Sequence, residues 1–310
     1  MTTSQLPGSA QRSRVQSSWG RRDPLPGNAS TTGRRGGFHL GRALLTLGLL
    51  LGALIWVAPF LFVFLTSVKS PADINANPAW ALPAIWEWGN YADAIDRGNL
   101  VTTGLNSALI TVVKVPLGLA VSALAAYALA RIRFRFNLVV TGIIALGAMI
   151  PVQIALGPLF ALMLELDLLN SWLGLLFPYL AFGLPYQTFV LFGFFSAIPD
   201  DLEEAARIDG ASTFRIFRSV ILPLARAPLA ALLILDFVAT WNEYPMATTL
   251  LQRQDSWTVP LAIQSFNSQF SSDYGELNAF IVITIIPVLV VYLTFQRYFV
   301  NGALAGAVKG

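Results

Sequence analysis

The sequence predicts an all-α membrane protein that crosses the bilayer six times, and three observations lead there. Of 310 residues, 55% are apolar and 12% charged, about half the charged share of a typical soluble domain. Mean hydropathy is accordingly high, at +0.62. Six stretches are apolar around their whole circumference and long enough, at ~1.5 Å per residue, to cross a hydrocarbon core of about 30 Å. Sixteen of the twenty Lys and Arg residues fall in the arm before the first stretch, in alternate connections, and after the last stretch. Positive charge marks the cytoplasmic side.

The same numbers exclude several classes. The net charge of +3 comes from arginines dispersed over tails and short connections, so no nucleic-acid partner is expected. The chain has no cysteine and one histidine, His39. Disulfides, thiolate metal sites and a cysteine nucleophile are therefore excluded, and a histidine metal site is not expected. No G-x-x-x-x-G-K-[ST] phosphate loop occurs, so the chain is not expected to bind ATP itself.

Residues 1–42 are rich in Gly, Ser, Thr, Pro and Arg. They carry too little apolar surface to fold, which predicts a disordered cytoplasmic arm. The membrane domain follows over 43–300, with spans expected at 43–65, 105–130, 138–164, 172–195, 228–250 and 280–295. The arginine asymmetry places both termini in the cytoplasm. Two long outer loops result, near 70–103 and 251–277, whose tryptophans either anchor at the interface or meet an external protein. Residues 301–310 form a cytoplasmic tail.

One connection, 197–226, is too elaborate to be a mere linker. It reads "IPDDLEEAARIDGASTFRIFRSVILP". Asp201 followed by Glu204 resembles a capping box, and acidic residues crowd the first turn, where a helix dipole favours them. Ala205 and Ala206 leave a shallow surface, and Gly210 lets the backbone turn. A second helix alternates Phe214, Phe217 and Ile221 with Arg215 and Arg218, and Pro223 closes it. Two short helices at the inner leaflet suit the docking of a cytoplasmic partner.

Glu204-Ala205-Ala206, Gly210, Val220 and Leu222-Pro223 stand at the spacing of the EAA loop, and the segment resembles that loop of bacterial ABC importer permeases. Val220 stands where the family usually has Ile. Further matches are Thr66-Ser67-Val68-Lys69, Asn106-Ser107, Ala126-Tyr127-Ala128-Leu129-Ala130-Arg131, Leu184-Pro185-Tyr186, Trp241-Asn242-Glu243-Tyr244 and Gly306-Ala307-Val308-Lys309-Gly310. Together they resemble the second permease of the carbohydrate-uptake, maltose-type branch, over nearly everything after residue 40.

The resemblance implies an ABC type I importer permease architecture in a bacterial inner membrane. Its coupling helix would lie between spans four and five, seated through Glu204, Ala205, Ala206, Asp209 and Gly210 in a cleft of an ATP-binding subunit. It implies no catalysis and no cofactor in this chain, with ATP and Mg held by the ATPase. Implied partners are a second homologous permease, two ATP-binding subunits, an extracytoplasmic solute-binding protein, membrane lipid and a sugar or oligosaccharide. A polyol phosphate of the glycerol-3-phosphate type is the alternative solute. An ion-driven carrier is a further alternative, although no repeated half is visible.

Within the fifth span, Asp236 and Glu243 are seven apart and would share a helical face, with Trp241 and Asn242 adjacent. They either line a solute pathway or gate, or lock helices together, since in the maltose-type family the other permease holds most of the solute. Lys114 in the second span would find a partner inside the bundle or snorkel to the interface. Ser256, Trp257, Thr258, Val259 and Pro260 match by position a segment that in the family enters the binding protein. The tail residues Gly306, Lys309 and Gly310 resemble a segment that reaches the ATPases.

Overall fold

The computed structural model describes residues 40–266 and 273–307, and no strand occurs among them. The chain divides into two compact units, 1–56 and 57–310. In the first, the described part is the opening of helix α1 (Leu40–Ser67). The expected arm over 1–42 therefore lies outside the described residues, apart from its last three, which belong to α1.

In the second unit, short helices α2 (Pro71–Ala76) and α3 (Gly89–Arg97) lead into α4 (Leu100–Arg131). Then come α5 (Asn137–Gly147), α6 (Val152–Glu165) and α7 (Trp172–Ser196). The knuckle follows as α8 (Asp201–Ile208), α9 (Thr213–Ile216), a π turn at Phe217–Ile221 and α10 (Leu222–Leu224). The remainder is α11 (Arg226–Trp241), α12 (Pro245–Leu250), α13 (Val259–Ala262), α14 (Tyr274–Thr284) and α15 (Ile286–Ala307). Four runs are long and apolar enough to cross a membrane: α1, α4, α7 and Tyr274–Tyr298. Two bent pairs raise the number to six if each counts as one span.

Those pairs correct the sequence reading. The third stretch is not straight: α5 and α6 meet at 94°, because Pro151 takes the N-cap of α6 and disfavours a helical residue before it. The second pair bends by 76° between Thr213–Leu224 and Arg226–Leu250, at the entry to the fifth stretch. Within that stretch the helix also breaks between Trp241 and Pro245, a proline that fits the first turn of the new helix. The sixth begins earlier than expected, at Tyr274, capped by the Asp273 side chain. It is interrupted at Ile285, next to Pro287.

Helices α4 and α7 form the central pair, with α11 against both. Their core joins Leu119, Ala123, Ala126 and Tyr127 of α4 to Leu191 and Phe195 of α7, Phe217 and Ile221 of the π turn, and Leu232 of α11. In a bilayer such packing is held by dispersion and polar contacts rather than by escape from water. Helices α4 and α7 approach closely at Gly118, where a Cβ would stand 3.2 Å from Gln187 Oε1.

At the N-terminal end of α4, polar loops are tied to it. Asn106 Nδ2 donates to the carbonyls of Asp255 and Trp257, 3.0 Å each. The Val259 N–H donates to Ser107 Oγ at 2.9 Å. Nearby, Asn90 Nδ2 donates to the carbonyls of Ser67 and Lys69, 2.9 Å each, which seats α3 on the end of α1. Arg97 pairs with Glu276 at 2.8 Å and so joins α3 to α14. At its other end α4 carries Arg131, which holds the knuckle. Residues 106 and 131 lie about 37 Å apart along the helix axis at ~1.5 Å per residue, enough to separate two membrane faces.

Candidate functional site

Two built regions carry the candidate residues: the knuckle and a cavity inside the bundle. The knuckle is a short helix stopped by a glycine. At its end Gly210 has φ +78°, the left-handed region that side chains with a Cβ avoid. The Gly210 N–H donates to the Arg207 carbonyl and the Ala211 N–H to the Ala206 carbonyl, both at 3.0 Å, a Schellman stop. Ser212 Oγ then caps α9 by accepting from the Arg215 N–H at 3.4 Å.

The expected capping box does not form. Asp200, not Asp201, holds the N-cap position, and its side chain makes no cap bond. It pairs instead with Arg131. Pro223 stands where the second helix closes: α10 ends one residue past it, at Leu224, and the chain bends by 76° into the helix from Arg226. The π turn before Pro223 widens the backbone where the proline ring would crowd the preceding turn.

Of the expected coupling residues, Glu204, Ala205, Asp209 and Gly210 are exposed, as are Leu202, Ile208 and Phe214. Ala206 is half-buried against the Tyr127–Phe195–Phe217 core. The anchoring acid is a residue the sequence reading missed. Glu203 is only 3% exposed. Its Oε1 lies 2.9 Å from Arg131 Nε, an ion pair without hydrogen-bond alignment. Its Oε2 accepts from Tyr127 OH at 3.3 Å and from Arg207 at 3.4 Å. Arg131 also donates to the Ile198 carbonyl at 2.5 Å. The signal was present as Tyr127 four before Arg131 and Glu203 four before Arg207, but which acid would face inward depends on the packing. A polar cleft of about 780 Å³ runs beside this clamp.

The second region lies between α4, α7 and α11, a cavity of about 350 Å³. Lys114 of α4 pairs there with Asp236 of α11 and donates to Thr240 Oγ1 at 3.2 Å. Glu243 lines the same cavity but does not share a helical face with Asp236, because α11 has already ended. Its Oε1 accepts from the Met246 N–H at 2.8 Å, and its Oε2 accepts from the Ala247 N–H at 3.0 Å and from Tyr179 OH at 2.6 Å. It caps α12 and bolts it to α7. Trp241 and Asn242 face a different hollow, with Tyr244 and Pro260. Trp241 stacks on Phe237 and donates to the Thr284 carbonyl at 3.2 Å, while Asn242 Nδ2 turns back to the Val238 carbonyl at 2.9 Å. Gln187, the one amide in α7, was also missed.

In the loop after α12, Thr258 and Val259 are buried, and Ser256, Trp257 and Pro260 are half-buried. The exposed part is 252–255. Gly306 lies near the end of α15, and Lys309 and Gly310 lie outside the described residues. No His, Asp or Glu cluster suited to a metal ion occurs among the described residues.

An all-helical chain with four to six membrane-length apolar runs and ionisable groups buried between them is a multi-span membrane protein with an internal functional site. Residues 118–303 match the family described as binding-protein-dependent transport system inner membrane component, and the chain belongs to that family. It is 36% identical over 263 residues to the diacetylchitobiose uptake system permease protein NgcG of Streptomyces coelicolor, covering 84% of this chain and 87% of that one. It is likewise 36% identical over 255 residues to the trehalose transport system permease protein SugB of Mycobacterium tuberculosis, covering 81% and 92%. Among solved structures, a bacterial ABC transporter involved in the import of the acidic polysaccharide alginate contains a chain that superposes with a TM-score of 0.70. It is 27% identical, over 85% of this chain and 99% of that one.

Proposed function

We propose that this chain is the permease subunit of an ATP-driven importer for a sugar or oligosaccharide, working with a second homologous permease, two separate ATP-binding subunits and an external solute-binding protein. The observation that carries the reading is the knuckle. It exposes Glu204, Ala205, Ile208 and Asp209 while Glu203 is locked by Arg131 to the end of α4. A surface of that kind serves as a handle. ATP binding, with Mg, draws the ATPases together, and their grip on α8 moves α4. The cavity between α4, α7 and α11 then faces the two sides of the membrane in turn. Alternation is an equilibrium between two states, biased by nucleotide and solute in proportion to their differential affinities. This subunit makes and breaks no covalent bond. The exposed 252–255 tip, with Ser256 to Pro260 beneath it, meets the binding protein, and the tail at Gly306, Lys309 and Gly310 meets the ATPases. Both termini then lie in the cytoplasm.

The test is affinity purification from native membranes, followed by reconstitution into vesicles with internal ATP and the external binding protein. Sugar uptake that needs ATP, and co-purifying ATP-binding subunits, are expected. Uptake driven by an ion gradient in the absence of nucleotide would replace this reading with an ion-driven carrier. Uptake of glycerol 3-phosphate in place of sugars would replace the solute class alone.

A further inference from the structure

We infer that the cavity between α4, α7 and α11 is a subsite for one neutral sugar ring, held by this chain's own side chains. The inference rests on the importer reading above and goes beyond it, since that reading assigns no side chain of this chain to the solute.

Two buried polar atoms of cavity-lining side chains have no hydrogen-bond partner among the described residues: Gln187 Nε2, a donor, and Asp236 Oδ2, an acceptor. Gln187 is 1% exposed. Its other amide atom is fixed, because Oε1 accepts from Ser122 Oγ at 3.1 Å. Asp236 is fixed in the same way, with Oδ1 taken by Lys114. Buried polar atoms left unpaired are rare and costly. One donor and one acceptor, each anchored through its other atom, match a hydroxyl-bearing ring, whose OH groups both give and accept hydrogen bonds.

The walls fit as well. Tyr179 and Tyr186 line the cavity with Phe182 and Leu232, the mostly apolar and aromatic lining with a few convergent polar groups that small-molecule sites show. At about 350 Å³ the cavity is near the lower end of the ~300–1,000 Å³ range of such sites, room for one ring of a chain. Space around the polar groups depends on Gly183. A Cβ there would lie 3.0 Å from Lys114 Nζ and 3.5 Å from Gln187 Nε2.

Charge decides between neutral and acidic solutes. Among the described residues Lys114 is the only cation lining the cavity, and Asp236 already occupies it. Glu243 adds a second carboxylate. A phosphate or uronate would find no free cation and two acids, an unfavourable juxtaposition. The cavity therefore accepts an uncharged ring and rejects an anionic one.

The intact transporter, reconstituted in vesicles with its ATPase subunits and binding protein, tests this with trehalose, maltose, diacetylchitobiose and glycerol 3-phosphate as probes. Gln187→Leu should raise the KM for the sugar carried about tenfold, the scale of one hydrogen bond to a buried group, with Vmax within about twofold. Gly183→Ala is favoured by helix propensity, so it folds where a harsher change does not. It should raise KM several-fold by filling the space before Gln187. An unchanged KM in both variants overturns the subsite while the importer reading stands. So does a fall in Vmax at constant KM, or wild-type uptake of glycerol 3-phosphate as fast as of a sugar. A wild-type complex that moves none of the sugars with ATP removes the importer reading itself.

Discussion

Gly210 is the residue whose backbone allows least choice. Its left-handed φ sits in open space, with nothing near the position of a Cβ. Substitution therefore costs backbone strain alone, about 1–2 kcal/mol for a residue with a Cβ. Gly210→Asn should keep sugar uptake close to wild type, because Asn visits this region, whereas Gly210→Val should reduce uptake per ATP hydrolysed. Equal coupling ratios for the two variants would show that the turn is not needed for transmission. This glycine was legible in the sequence, because a positive φ at a helix stop has one usual residue. Asp73, in the first turn of α2, was not. Its carboxylate is held below the ordinary range by the Asn77 side-chain amide at 2.6 Å, then by the Ala84 N–H at 3.0 Å and the nearby Lys69 charge. A lowered folded pKa favours the charged form. The stabilisation is thus fully present above the unfolded value of about 3.9 and is lost as pH falls through the folded value. Acid should open the 70–88 segment to proteolysis in the wild type, and Asp73→Asn should make cleavage there independent of pH over the same window.

At the scale of elements, the acidic knuckle hangs from one buried acid. Arg131→Ala leaves Glu203 buried and short of its main counter-charge, a loss of about 3–5 kcal/mol. Protease added to inside-out vesicles should then cut within 197–212, where the wild type resists. The pair Arg131→Met with Glu203→Leu should restore resistance without restoring uptake. Recovery of uptake in that double variant would mean that apolar packing alone transmits the motion. The existence of α1, α4 and α7 could be read directly from hydropathy, since lipid tolerates little else. Their breaks could not. Prolines at 59, 116, 178 and 185 lie inside continuous helices, whereas Pro151 and Pro245 stand at breaks. The difference lies in which neighbours repair the lost hydrogen bond, and that is a tertiary fact. Glu243 shows the consequence: seven residues from Asp236 in sequence, it reaches the same cavity as a cap rather than along a helical stripe.

For the molecule as a whole, the two ends of α4 should face opposite compartments. The chain has no cysteine, so single replacements report cleanly. Ile208→Cys should react with a membrane-impermeant maleimide only from the cytoplasmic side, and Arg253→Cys only from the other. Labelling of both from one side would contradict the orientation inferred from the arginines. The arginine count drew attention to topology and hid Arg131, which serves as a structural clamp as well as a topogenic charge. Lys114 and Asp236 carry a last consequence. Separating a buried pair of opposite charges costs about 3–5 kcal/mol, while sliding one apolar helix along another in lipid costs far less. Their pairing acts as a rivet, making α4 and α11 one rigid spar. Any swing between inward and outward states must therefore pivot at the elbows, at 148–151 and at Ala225, and leave the spar unbent.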